Sequence, residues 1–136
     1  MKRWVMTILA ALSLAGCSAI DDTKAAETGV TAFHRAMDAG QFAAIYDASG
    51  PEMKSSLSRD DFVKMLTAMH GKLGAYRSGK TTNWNVNYNA GGHMVTLNRE
   101  AQFERGPGTE EFVFRVEGDK ATLLGWHVNS NALILG

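Results

Sequence analysis

The chain lacks most of the features that mark disulfide-rich, membrane-spanning or nucleic-acid-binding proteins. Cys17 is its one cysteine, so no intramolecular disulfide can form. The apolar run Trp4–Leu14 has eleven residues, fewer than the roughly 18 that a membrane-spanning helix needs. Basic and acidic residues are equal at 14 each and are interspersed, which excludes the basic stripe of a nucleic-acid-binding domain. A hydrophobic content of 45% with 21% charged residues indicates one ordinary globular domain.

Motifs for covalent catalysis and for metal binding are missing as well. The sequence contains no Gly-x-Ser-x-Gly nucleophile elbow. The histidines are too far apart in sequence for the close spacing of a local zinc ligand set: His34, His70, His93 and His127. We therefore predict no metal, no cofactor and no catalytic residue.

One segment, Gly74–Thr81, matches the phosphate-binding loop pattern letter for letter. That loop holds phosphate only when a strand leads into it and a helix follows it. Here a helical pattern precedes the segment, and an alternating pattern around Trp84 follows it. We therefore interpret it as a glycine-containing strand entry and predict no nucleotide.

Helical periodicity runs through the first half of the chain. Apolar positions recur at helical spacing in the first such segment: Ala26, Val30, Phe33 and Met37. The pattern predicts a helix over residues 24–39 and a second, short helix after Gly40. Ser58 followed by an acidic residue three positions later resembles a capping box, which predicts a third helix ending at Gly71 or Gly74.

From about residue 75 the apolar positions alternate, which is typical of strands. Turn sequences separate four such segments: Asn89–Gly92, Arg105–Gly108 and Gly118-Asp119. In the last segment, Leu124, Trp126 and Val128 are expected on the inner face, with Leu123 outside. The sequence therefore predicts an α+β fold over residues 24–136, in which N-terminal helices pack on a curved antiparallel β-sheet meander.

The order of these elements, with four short motifs, resembles the nuclear transport factor two-like fold, a cystatin-like cone: Phe33, Gly40-Gln41-Phe42, Leu73-Gly74 and Gly125-Trp126-His127-Val128. More narrowly, the chain is similar to small bacterial envelope proteins that carry a domain of unknown function. The resemblance covers about residues 24–133, and Trp126 stands where that group has tyrosine. It implies the fold and an envelope location, and it brings no catalytic residue.

The N-terminus resembles a bacterial lipoprotein signal. Met1-Lys2-Arg3 is a positive region, Trp4–Leu14 is apolar, and Leu14-Ala15-Gly16-Cys17 resembles the lipobox. The resemblance implies cleavage between Gly16 and Cys17, a diacylglyceryl group on the thiol and acylation of the new amine. We predict a signal peptide over residues 1–16 and a lipidated tether over 17–23, with the acyl chains as the membrane contact.

The residue after Cys17 is Ser18 and not aspartate, which resembles lipoproteins exported to the outer membrane. We therefore expect the domain on the periplasmic face of the outer membrane, and the inner membrane is the alternative. Loss of Lys2 and Arg3 leaves twelve basic against fourteen acidic residues, a formal charge of −2. A net negative charge does not favour the binding of a polyanion.

One charged residue of a predicted strand stands at a position that is expected to face the core. Arg99 alternates in phase with Leu97 and Ala101, so it is expected to face the apolar side and to need an acidic partner. An ion pair is one interpretation; a pocket cation for an anionic ligand, shared with Tyr46 and His127, is the other.

Three functions fit these observations. The first is a non-catalytic binding or accessory module of the cell envelope, which could dimerise through the outer-face positions Val113 and Leu123. The second is an inhibitor or immunity lipoprotein that inserts a projecting loop, Glu104–Glu110, into an enzyme. The third is a small pocket enzyme of isomerase type, which the fold class also hosts. We favour the binding module.

Overall fold

The computed structural model describes residues 18–135, and side chains from Ala19 onward. The predicted signal peptide over residues 1–16 and the predicted lipidation site Cys17 lie outside the described residues. The elements in chain order are α1 Ser18–Asp38, α2 Phe42–Ala48, α3 Pro51–Ser56, α4 Arg59–Leu73, β1 Tyr76–Asn89, β2 Gly92–Phe103, β3 Gly106–Glu117, β4 Lys120–Asn129 and α5 Ala132–Leu135.

The four strands form one curved antiparallel sheet in the order β1-β2-β3-β4, with the N-terminal helices packed on one face. The predicted α+β fold with a meander is therefore confirmed. The helix-then-strand order around Gly74 is confirmed too, because α4 precedes it and β1 follows it.

Helix ends follow the local chemistry that the sequence indicated. Ser58 precedes α4, and its Oγ accepts a hydrogen bond from the Asp61 N–H at 3.2 Å. Gly74 ends the same helix with a φ of 74°, a backbone conformation that residues with a Cβ rarely adopt. Helix α1, in contrast, begins at Ser18, six residues before its predicted start. Residues 18–23 of the predicted tether are therefore helical, and the first helix is longer than predicted.

The last strand is interrupted by a β-bulge that changes which residues face the core. Leu123 pairs with Phe114 and Gly125 pairs with Val113, so Leu124 is the extra residue between them. As a result Leu123 joins the core at 8% exposure, and its prediction as an outer-face residue was wrong. The bulge thus removes Leu123 from the apolar outer surface on which the predicted homodimer depended.

The segment between α2 and α3 is hydrogen-bonded to one edge of the sheet. The Gly50 N–H, between α2 and α3, donates to the Leu123 carbonyl at 2.9 Å and so covers part of the β4 edge.

The connection between β2 and β3 is short, because β2 ends at Phe103 and β3 begins at Gly106. The predicted projecting loop Glu104–Glu110 is therefore wrong: it is a two-residue turn followed by strand.

The main core lies between α1, α4 and the inner face of the sheet. Its fully buried side chains come from both layers: Ala26, Val30, Phe33, Leu66, Val95, Leu97, Phe112 and Phe114. The helical residues recur at spacings of three and four, and the strand residues alternate, so each layer presents one apolar face. A second, smaller cluster around Leu73 and Phe103 closes the end of the sheet near α5.

Candidate functional site

The inner face of the sheet carries two buried charged residues beneath α1. Arg99 on β2 and Glu110 on β3 are direct neighbours in the antiparallel register, and they are 7% and 3% exposed. Helix α1 supplies Glu27 and His34 above them. We call these four residues, with their hydrogen-bonded neighbours, the inner polar cluster.

One half of the inner polar cluster is a buried pair of His34 and Glu110. His34 Nε2 lies 3.1 Å from Glu110 Oε2, and the indole Nε1 of Trp126 donates to Glu110 Oε1 at 3.2 Å. An ionised carboxylate only accepts hydrogen bonds, so the imidazole donates from Nε2. The Tyr76 ring stacks on the imidazole with centroids 3.6 Å apart, which further encloses the pair.

The other half is centred on the Arg99 guanidinium. Its Nη1 donates to Glu27 Oε2 at 2.7 Å and to Thr81 Oγ1 at 2.9 Å, and its Nη2 donates to the Tyr76 hydroxyl at 3.1 Å. Thr81 in turn donates to the other carboxylate oxygen of Glu27. Arg99 is thus held in an ion pair, the first of its two sequence interpretations.

Of the other two predicted pocket residues, Tyr46 lies away from Arg99, whereas His127 lines the same surface depression as Arg99. The Tyr46 hydroxyl donates to the Leu57 carbonyl at 2.9 Å, and its ring packs on Phe62, among the helices. His127 is exposed and pairs with Glu111 on the outer face, opposite to the inner face that carries Arg99. Arg99 and His127 therefore share a surface depression while their side chains lie on opposite faces of the sheet, and Tyr46 is not part of it.

A histidine beside a carboxylate is an acid–base pair in chemical terms. In this fold the imidazole of His34 is also flanked by the rings of Phe33, Phe103 and Phe112, all within the main or the smaller apolar cluster. With 6% of its side chain exposed, His34 is shielded from solvent. The arrangement favours a structural network over a reacting centre.

Sequence reasoning missed the open apolar cleft between α1, α2 and the sheet. Small side chains of the two helices form its walls, Phe114 and Leu123 form its floor, and its volume is about 230 Å³. The lining residues from the helices are Gly29, Ala32, Phe33, Ala36, Ala44, Ile45 and Ala48. A signal was present, because alanines four residues apart occur on both helices, and such pairs let two helices approach without filling the space between them.

Two further structural tests concern metals and membranes. Within residues 19–135, no group of three or more His, Cys, Asp or Glu side chains is placed to hold a metal ion. No helix of the described part of the chain is long and apolar enough to cross a membrane.

The geometry thus defines an α+β domain with a closed polar cluster and an open apolar cleft. The model of a family described as a protein of unknown function, DUF4019, matches residues 30–128. This match covers most of the chain, so the protein belongs to that family. A comparison with curated proteins finds no match.

Proposed function

We propose that this protein is a membrane-anchored periplasmic lipoprotein whose domain acts as a non-catalytic binding module of the cell envelope. The observation that carries the anchoring half is the lipobox-like sequence Leu14-Ala15-Gly16-Cys17, which follows a positive region and an apolar run. Ser18, the next residue, already belongs to α1, so acyl chains on Cys17 would hold the domain close to the bilayer surface. The outer membrane is the proposed location, with the inner membrane as the alternative.

The proposed binding role is supported by the contacts that the ionisable side chains of the inner face make with one another. His34 faces Glu110 and Arg99 faces Glu27, so the buried charges of the inner face are engaged with one another. One open concave surface is the apolar cleft between α1 and α2. Concave apolar surfaces are typical of binding sites, whereas catalysis needs convergent polar groups that a substrate can reach.

The anchoring test compares the intact mass of detergent-extracted wild type with that of Cys17→Ser. We expect the wild-type mass to equal residues 17–136 plus acyl chains, and Cys17→Ser to lack acyl groups. Ser13→Ala, outside the four-residue lipobox, is the control and should be processed like wild type. An unmodified full-length mass for wild type would refute the lipoprotein assignment.

The binding test uses the acylated protein in a pull-down from envelope extract. Ala44→Glu places a charge in the apolar cleft at an exposed helix position, so the fold should survive while a cleft-bound partner is lost. Thr28→Ala, on the exposed side of α1, should retain the partner. Retention by both variants would show that the cleft is not the binding site.

A further inference from the structure

Two large aromatic side chains are exposed on the inner face of β1, the strand at one edge of the sheet. Trp84 is 48% exposed and Tyr88 is 52% exposed. Their register partners, Leu97 and His93, have the inner-face parity, and Val86 between them packs against the core. The two rings are therefore on the face that the helices cover elsewhere, at the edge where coverage ends.

The first turns of α1 lie beside this edge. The Asp22 carboxylate contacts His93 Nδ1 at 2.8 Å, and the His93 ring meets the Tyr88 ring edge to face, with centroids 4.5 Å apart. One and a half turns later, Glu27 accepts a hydrogen bond from Thr81, also on the inner face of β1. Helix α1 is thus fastened to β2 at His93 and to the edge strand β1 at Thr81.

Helix α1 adds an apolar residue and a cation on the same side. Ile20 is 58% exposed and precedes Glu27 by seven residues, which puts both on one side of a helix. Lys24 lies between them at a spacing of four from Ile20 and is exposed. We call Ile20, Trp84 and Tyr88 the aromatic edge surface.

We propose that the aromatic edge surface lies against the lipid bilayer, with both rings at the level of the headgroups. The inference rests on the proposed lipid anchor at Cys17. Three peptide steps separate Cys17 from Ile20, a span of at most about 11 Å, so an acylated Cys17 brings this surface to the membrane. The chemistry agrees, because tryptophan and tyrosine prefer the membrane–water interface and lysine favours anionic lipid.

The charges around the surface favour a membrane over a second protein. The rim of β1 on the opposite face consists of neutral amides, Asn83, Asn85 and Asn87, which form no charged pattern that would select a protein partner. The side chain of Asp22 is turned inward to His93 and is 7% exposed, so it does not repel lipid phosphates. Binding to a lipid surface depends on exposed apolar area and does not need a specific pattern of charges.

The test reconstitutes the acylated full chain in phosphatidylcholine–phosphatidylglycerol vesicles with and without brominated acyl chains, which quench tryptophan on contact. The processed protein carries Trp84 and Trp126. We expect bromine to quench wild-type fluorescence and this quenching to be lost in Trp84→Phe. The double variant Trp84→Phe/Met65→Trp restores an exposed indole on α4, and it should not restore the quenching.

Each other outcome has a distinct meaning. Equal quenching of wild type and Trp84→Phe, or quenching that follows the indole to residue 65, would overturn the proposed orientation. A Trp84 emission shift that depends on protein concentration, without bromine quenching, would indicate a second copy and also overturn it. The intact mass of the same sample separates the two proposals. An acylated but unquenched protein refutes the orientation alone, and an unacylated one refutes the lipid anchor and the orientation with it.

Discussion

Truncation of Glu110 to alanine tests whether the inner polar cluster holds the fold together. The substitution removes the acceptor of two hydrogen bonds, from His34 at 3.1 Å and from Trp126 at 3.2 Å. Each buried donor left without a partner costs about 1–3 kcal/mol, and here two donors lose their acceptor. We therefore expect Glu110→Ala to lower the free energy of unfolding by about 2–6 kcal/mol, a large part of the roughly 5–15 kcal/mol of a typical domain.

The assay is urea unfolding followed by far-ultraviolet circular dichroism, which does not depend on the indole of Trp126. Glu110→Gln should lose less than Glu110→Ala, because the amide keeps an oxygen that can accept from the indole. The control is Glu111→Ala, the next residue along β3, whose side chain has the outer parity; we expect a change within about 0.5 kcal/mol. A loss for Glu110→Ala within about 1 kcal/mol of the control value would refute the reasoning.

Three more variants test other contacts by the same unfolding measurement. A double-mutant cycle of Arg99→Met and Glu27→Gln should give a coupling of about 0.5–3 kcal/mol, because the ion pair is mostly buried. Gly29→Ala should destabilise by about 1–3 kcal/mol although alanine favours helices, because its Cβ would lie 2.7 Å from a buried phenylalanine ring carbon. The hydrogen bond from Arg115 lowers the pKa of Glu52, so this pair stabilises the fold above the ordinary carboxyl pKa of 4.5 and stops doing so as the pH falls through the lowered value. Glu52→Gln should therefore make the fall in stability below about pH 4.5 less steep.

For each of these three predictions, a particular outcome would contradict the reasoning. The exposed pair Lys80–Glu100, at 3.6 Å, should couple by about 0–1 kcal/mol, and a larger value than at the buried pair would contradict the role of burial. Gly71→Ala, in α4 with open space around its Cβ position, should stabilise or be neutral, so a loss equal to that of Gly29→Ala would argue against the ring contact. An unchanged acid slope in Glu52→Gln would remove that residue from the acid response.

The candidate site shows how far local patterns reach. The alternation of β2 correctly put Arg99 on the inner face, and burial correctly required an acidic partner. The identity of that partner, Glu27, was out of reach, because it comes from α1 and is 72 residues away in sequence. His34 and Glu110, 76 residues apart, form a pair for the same reason. Tyr46 was grouped with Arg99 by residue chemistry alone, and packing places it among the helices.

Periodicity and turn chemistry by themselves determined that helices come first, that four antiparallel strands follow as a meander, and where α4 begins and ends. These features depend on residues within a few positions of one another, so the sequence displays them directly. Tertiary structure decided the rest. The β-bulge at Leu124 reversed the facing of Leu123, Asp22 of α1 met His93 of β2, and the apolar cleft arose where α1 and α2 meet the sheet. Each of these depends on side chains far apart in the chain, whose contacts are set by packing and not by local preference.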